Sequence, residues 1–257
     1  MNSTRIVTIA SHVFREVIRD RVLYLIGFFA FLLVVALRLL PEVSATTEDK
    51  IFLDFGLAAI GALSLIVAIF VGTGLVSKEI EKRTLLVLLA KPISRTELVL
   101  GKHLGLSAVL AVLVAAMTGI YIAALNWSQI SYPLVSILVT AIYIFLELSL
   151  LAAVAIMFSV FTGSLLATLV SFGVYLIGHF SRDLVTLGNL SDKLEIQRLT
   201  RGIYLALPDL SRLDLKNLAV YGVLPAPTEL LANAGYALLY ITFLLSVAIL
   251  ILSRRDF

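Results

Sequence analysis

Two sets of residues in this chain have types and spacings that could do chemistry. The first is the segment Ser77 to Lys102, SKEIEKRTLLVLLAKPISRTELVLGK. It carries six basic residues (Lys78, Lys82, Arg83, Lys91, Arg95, Lys102) against three acidic ones (Glu79, Glu81, Glu97). Its apolar run Leu85 to Leu89 is bracketed by Lys82, Arg83 and Lys91, so the chemistry it offers is recognition, an apolar ridge with charged flanks that a soluble partner can grip. The other reading is a solvated connector whose charges anchor two spans at the lipid head groups. The second set is Glu147, the single formal charge between Leu134 and Phe180. A carboxylate near the middle of a span costs roughly 2.5 to 3.5 kcal/mol on insertion scales and usually faces the protein interior. Two roles stand open for it: lining a path for substrate, proton or cation, or holding its span to a neighbour through Ser149, Thr140 or a tyrosine.

Catalytic groupings are missing from the pattern. The chain has no cysteine, which excludes disulfides, thiolate metal sites and cysteine nucleophiles. His12, His103 and His179 lie far apart, with no HExxH or paired ligand spacing, so no metal site is expected within the chain. No Ser-His-Asp grouping can be argued. No GxxxxGK[ST] phosphate loop occurs, since Gly101-Lys102-His103 lacks both the leading glycine spacing and the hydroxyl. The chain is therefore not expected to be an enzyme or to hold a cofactor.

The elements that must position these residues follow from composition. The chain is 60% hydrophobic and 14% charged, with mean hydropathy +1.05, against about 25% charged for ordinary soluble domains. That balance places it in lipid, as an all-α polytopic membrane protein. A spanning helix needs roughly 20 mostly apolar residues. Such runs lie at about 22–40, 57–76 and 104–125. Leu134 to Phe180 would be about 70 Å as one helix, too long for one crossing. A break at Thr162-Gly163-Ser164 divides it into spans at about 134–158 and 164–180, and a sixth lies at 230–252. Residues 1–257 thus form one transmembrane domain, with both termini on the same side.

Basic residues accumulate in short cytoplasmic segments, which puts the termini and segment 77–103 in the cytoplasm together with Arg5, Arg15, Arg19, Arg21, Arg254 and Arg255. The formal net charge of +3 is accounted for by this topology, so nucleic acid is not an expected partner. Residues 1–21 carry Ile6, Val7, Ile9, Ala10, Val13, Phe14, Val17 and Ile18 on one helical stripe among polar residues. That pattern predicts an amphipathic helix in the cytoplasmic interface rather than a cleaved signal peptide.

Within the charged segment, Thr84 to Ala90 continues a helix, and Lys91-Pro92 stops it because proline disfavours helix at the preceding residue. Ser94-Arg95-Thr96-Glu97 is a capping box that starts the next helix. The outer segment 181–229 predicts short amphipathic helices around Leu190, Leu194, Leu199, Ile203 and Leu207 before Pro208, with Pro225 and Pro227 marking re-entry. Gly72, Gly74, Gly101, Gly105, Gly173 and Gly178 allow close helix approach.

The stretch KEIEKRTLLVLLAKPISRTELVLGKHLG, Lys78 to Gly105, resembles the pattern of type-2 ATP-binding-cassette (ABC) transporter permeases. There an acidic residue, a threonine-leucine pair, a proline, a serine-arginine pair and a glycine-lysine follow the second span. The layout of an interfacial helix, six spans, a sizeable outer segment and a basic tail resembles that family as well. The chain looks most like the branch named for multicopper-enzyme maturation, a name that describes one branch and not a shared substrate.

The resemblance implies that Glu79, Glu81, Arg83, Thr84 and Leu85 belong to a coupling helix seated in a groove of an ATPase subunit. It implies that Pro92, Ser94, Arg95 and Glu97 shape the elbow and that Gly101 and Lys102 open the third span. The family pattern often has glycine where this chain has Arg83. It implies an exporter of the bacterial plasma membrane, built from two permeases, as homodimer or heterodimer, and two nucleotide-binding subunits. It also implies that the outer segment caps the exit path, where packing on the membrane surface is the alternative. A secondary transporter or channel without an ATPase partner is the other function class, and it would call for inverted repeats or broken helices with several intramembrane polar residues.

Overall fold

The computed structural model describes residues 2–43, 48–81, 94–191 and 193–254, and every regular element among them is helical. The α-helices are α1 (Ser3–Val17), α2 (Leu23–Val43), α3 (Glu48–Glu81), α4 (Arg95–Trp127), α5 (Leu134–Phe161), α6 (Ser164–His179), α7 (Ser181–Asn189), α8 (Leu194–Ala206), α9 (Lys216–Val220) and α10 (Pro227–Arg254). A π turn, Ile18–Val22, joins α1 to α2, and a 3-10 turn, Leu210–Arg212, sits between α8 and α9.

Local chemistry sets the helix ends. Asn2 caps α1 by accepting from the Thr4 N–H at 3.1 Å. Ser94 and Glu97 form the expected capping box at the start of α4, each side chain satisfying an otherwise orphaned backbone donor. The long apolar stretch breaks at Thr162 and Gly163, between α5 and α6. Pro227 takes the first position of α10, where its missing N–H costs nothing.

Helix α5 runs through the middle of the bundle. Its most apolar window is 72% buried, against 33% for that of α10, and α3, α4, α6, α9 and α10 all pack on it. Small residues make this possible. A Cβ added at Gly72 of α3 would stand 2.9 Å from the Ala155 Cβ of α5, so the two backbones meet at a distance that larger side chains would forbid. Gly173, in contrast, faces open space and plays no part in helix approach.

Among the described residues, four helices are long and apolar enough to cross a membrane: Asp49–Ser77, Arg95–Trp127, Leu134–Phe161 and Pro227–Arg254. A fifth is added if α6 and α7, bent by 58° at their junction, are taken as one span. The remaining crossing of the expected six falls on α2, whose described apolar stretch Leu23–Leu39 is shorter. The reason α6 falls short is visible in its partner. At 1.5 Å per residue its 16 residues cover about 24 Å, so His179, its last residue, lies opposite Glu147, the midpoint of α5.

The chain then folds back into the bundle. Leu210, Leu213, Leu215 and Ala219 are buried in the same core as α3 and α5. A Cβ at Gly178 would stand 2.8 Å from the Pro208 carbonyl oxygen, so the chain at 208–210 lies hard against the end of α6. The second half of the outer segment is thus a part of the core and not only a surface layer. Its first half, α7 and α8, pairs through Gly188 against Thr200.

Candidate functional site

The residues singled out in the charged segment divide at the edge of the described chain. Arg83, Thr84, Leu85 and Pro92 lie outside the described residues, and Glu81 ends α3. Glu79, Ser94, Arg95, Glu97, Gly101 and Lys102 meet at one end of the bundle, where α3 finishes and α4 begins; this is the near end.

Three side chains from the first two and a half turns of α4 reach three other elements. Glu97 accepts the Ser94 N–H at 3.1 Å with one oxygen and the Asn2 N–H at 2.7 Å with the other, and the Arg5 guanidinium stands 3.9 Å away. The start of α1 is thereby pinned to the start of α4. Arg95 donates to the carbonyls of Leu252, at 2.7 Å, and Ser253. These are orphan acceptors of the last turn of α10, and a cation there also meets the negative end of the helix dipole. Lys102, almost wholly buried, donates to the Leu75 carbonyl and to the Glu79 carboxylate of α3.

Gly101 and Gly105 make the fit of α1 possible. A Cβ at Gly101 would be 2.7 Å from the Ile9 Cβ, and one at Gly105 would be 2.7 Å from the Ala10 carbonyl oxygen. Ile6, Val13 and Val17 of the α1 stripe are buried, and α1 packs on α4, while Val7 of the same stripe stays exposed. Between these glycines, His103 Nε2 lies 3.1 Å from the Ser149 carbonyl, and one turn on, Ser107 and Ser149 share a hydroxyl hydrogen bond, which ties α4 to α5. Beside the Lys102–Glu79 pair, a groove of about 1040 Å³ opens between α1, α2, α3 and α6, with Val17, Leu25, Phe70 and Thr168 on its walls.

The spacing of residues 94–97 revealed the capping box but not the second partner of Glu97, Asn2, which is 95 positions away. The carbonyls that Arg95 holds carry no side-chain signal at all. Gly101 and Gly105, four apart on one helix face, were the available sign that a backbone approaches α4 there.

With the fold and this junction in place, the family model described as ABC-2 family transporter protein matches residues 7–257. The chain belongs to the ABC-2 transporter family. This ABC-2 permease is an integral membrane transport subunit of an ABC transporter, and its family works with an ABC ATPase. No curated protein matches it.

The second set of residues in this ABC-2 permease lies inside the bundle. Glu147 meets neither Ser149 nor Thr140. Its Oε1 stands 3.5 Å from His179 Nε2, which is also 3.7 Å from Asp214 Oδ2. Lys216 Nζ is 3.3 Å from Asp214 Oδ1. Burial works against the charge on Lys216, but Glu147 and Asp214 outweigh it and hold the ammonium above its ordinary pKa. His179, which spacing alone left without a role, is thus the neighbour of the one carboxylate that spacing did single out. Among the described residues, no three metal-binding side chains are grouped to hold an ion.

Asp209 locks the returning segment beside this cluster. Its oxygens accept from Ser181, Ser211, Arg182 and Arg212, the last two at 3.0 Å, and its N–H donates to the Tyr236 hydroxyl at 2.9 Å. Burial alone would raise its pKa. The hydrogen bonds from Ser211, Arg182 and Arg212, with the Arg182 charge, outweigh that and hold the carboxyl below its ordinary value. Arg212, with its guanidinium over the Tyr236 ring at 5.0 Å, is held above its own ordinary value by its bonds to Tyr204 and Asp209.

Proposed function

We propose that this ABC-2 permease is the membrane half of an ATP-driven exporter and that segment 77–103 couples it to a separate ATPase subunit. The observation that carries this reading is the junction at the start of α4, where Glu97, Arg95 and Lys102 grip the beginning of α1, the last turn of α10 and the end of α3. Any force applied to the chain between Glu81 and Ser94 enters a helix already joined to three others. A capped, tightly held helix moves as a unit, so closure of an ATPase pair below it would be passed to the spans and favour one access state over the other.

In this reading the chain crosses the plasma membrane of a bacterium six times, with α2 and the bent α6–α7 pair as the two irregular crossings. Both termini and the near end face the cytoplasm. ATP and Mg are bound by the partner ATPase. A second permease, this chain again or a relative, completes the translocation path. The likeness of the motif from Lys78 to Gly105 supports a reading of the chain as a member of the multicopper-enzyme-maturation branch.

The test is purification of the tagged chain from its native membrane. It is expected to bring with it a phosphate-loop ATPase whose hydrolysis it stimulates. Deleting residues 79–89 should abolish the association, and reversing Glu79 and Glu81 to lysine should abolish the stimulation. Association and stimulation that survive both changes would overturn the coupling role and favour a transporter without an ATPase.

A further inference from the structure

We propose that Glu147, His179 and Asp214 form a binding site for one proton in the interior of the bundle, and that its occupancy holds the segment 208–216 against α5 and α6.

The argument starts with the His179 tautomer. Its Nδ1 lies 3.2 Å from the Tyr175 carbonyl oxygen, which can only accept, so the hydrogen of the neutral ring is on Nδ1. Nε2 then carries a bare lone pair. That nitrogen is buried without a hydrogen-bond partner among the described residues, and the atoms nearest to it are two carboxylate oxygens, at 3.5 and 3.7 Å. A lone pair beside two anions, largely shielded from water, is repelled by both. One proton, on Nε2 or on the Glu147 carboxyl, turns that repulsion into attraction.

Charge counting leads to the same number. The groups that face the site are Glu147 from α5, Tyr175 and His179 from α6, Asp209 and Asp214 from the returning segment, and Lys216 from α9, with Gly61 of α3 beside Lys216. Asp209 belongs to an outer group with Arg182 and Arg212, whose side chains are 55% and 37% exposed, so that solvent screens their charge. Glu147, Asp214 and Lys216 together carry one surplus negative charge, which a single proton neutralises and a second would overshoot. Uncompensated charge in such an interior is costly, whereas a balanced cluster is tolerated.

The site joins three parts of the chain, and these are not equally free. Helices α5 and α6 are fixed by packing along their lengths. Asp214 sits on the non-helical link between the 3-10 turn and α9. Loss of the proton therefore repels the most adjustable member, and residues 208–216 loosen from the core. This inference concerns the chain's own interior and is independent of any ATPase.

The experiment uses the full chain in lipid nanodiscs with 15N-labelled histidine. The resonances of His12, His103 and His179 are separated by His179→Gln, and the protonated-carboxyl stretch of Glu147 is followed by infrared difference spectroscopy against Glu147→Gln. The expected result is one pH transition shared by the two groups. Removing either one shifts or abolishes the transition seen at the other by about one pH unit or more, the size expected for neighbouring buried charges. Asp214→Asn moves the transition to lower pH and Lys216→Met moves it higher. Amide exchange in 208–216, corrected for its intrinsic pH dependence, rises several-fold across the wild-type transition and shows no such step in Glu147→Gln. A His179 ring with its hydrogen on Nε2 and none on Nδ1 would overturn the proposal. So would transitions at His179 and Glu147 that ignore each other's removal. Asp214 and Lys216 are partly exposed, so their variants carry the test if the Glu147 variant fails to fold.

Discussion

The Lys102 ammonium lies against the Glu79 carboxylate and the Leu75 carbonyl, fastening the second turn of α4 to the last turns of α3 across the segment that separates them in sequence. Lys102 is nearly inaccessible, while Glu79 keeps about a quarter of its side chain exposed. The pair is thus anchored on the buried side and reachable from the other, which suits a joint that must hold two helices and still respond to what touches Glu79.

Removing Lys102 alone takes one donor from the Leu75 carbonyl and one cation from the partly desolvated Glu79 carboxylate, and such losses cost about 1 to 3 kcal/mol. Lys102→Met is expected to lower the unfolding midpoint of the purified chain. Lys102→Met combined with Glu79→Met should recover part of that loss, because the carboxylate that Lys102 balanced is then removed with it. A double variant less stable than the single one, measured by thermal unfolding in the same micelles, would show that the ion pair is not what joins α3 to α4.

The contact of α1 with α4 depends on two missing side chains. Gly101→Ala and Gly105→Ala each place a methyl group about 2.7 Å from atoms of α1, where overpacking typically costs about 1 to 3 kcal/mol. Helix α1 is expected to lift from the bundle, seen as faster cleavage between residues 5 and 20 by a limiting protease. Gly173→Ala, which meets open space, serves as the matched control and should leave stability unchanged or slightly raised by better helix propensity.

Asp209 makes part of the stability depend on pH. Its folded-state pKa is depressed by hydrogen bonds from Ser211, Arg182 and Arg212 that overcome its burial. Its contribution is therefore complete above the unfolded-state value of about 3.9 and is lost as pH falls through the folded-state value. Asp209→Asn should lower the unfolding midpoint at neutral pH and flatten its fall in the acid range. An acid limb of equal steepness in the two proteins would assign that fall to other carboxylates.

How much of this was legible in the sequence differs between the fold and the site. The helices were legible because apolar runs, prolines and the Ser94–Glu97 box act over a few residues. The span was expected to end near 180, but the bend there and its position beside Glu147 were not legible, because the core residues Leu210, Leu213 and Leu215 that return to the bundle lie far along the chain. Glu147 stood out as a carboxylate among apolar residues, yet its partners His179 and Asp214 had no local signature, since each is ordinary within its own neighbourhood.

The sequence by itself determined that this chain is helical, that it belongs in a membrane, that Ser94 and Glu97 open a helix, and that its charge gathers between α3 and α4. These are consequences of short-range chemistry: periodic burial, capping of orphan backbone groups, and the cost of charge in lipid. Only the tertiary structure decided that Glu97 holds Asn2, that Arg95 holds the end of α10, and that His179 lies beside two carboxylates. Those relationships join residues far apart in the chain. Side-chain packing creates them, because a helix pattern specifies which face is buried but not which partner buries it.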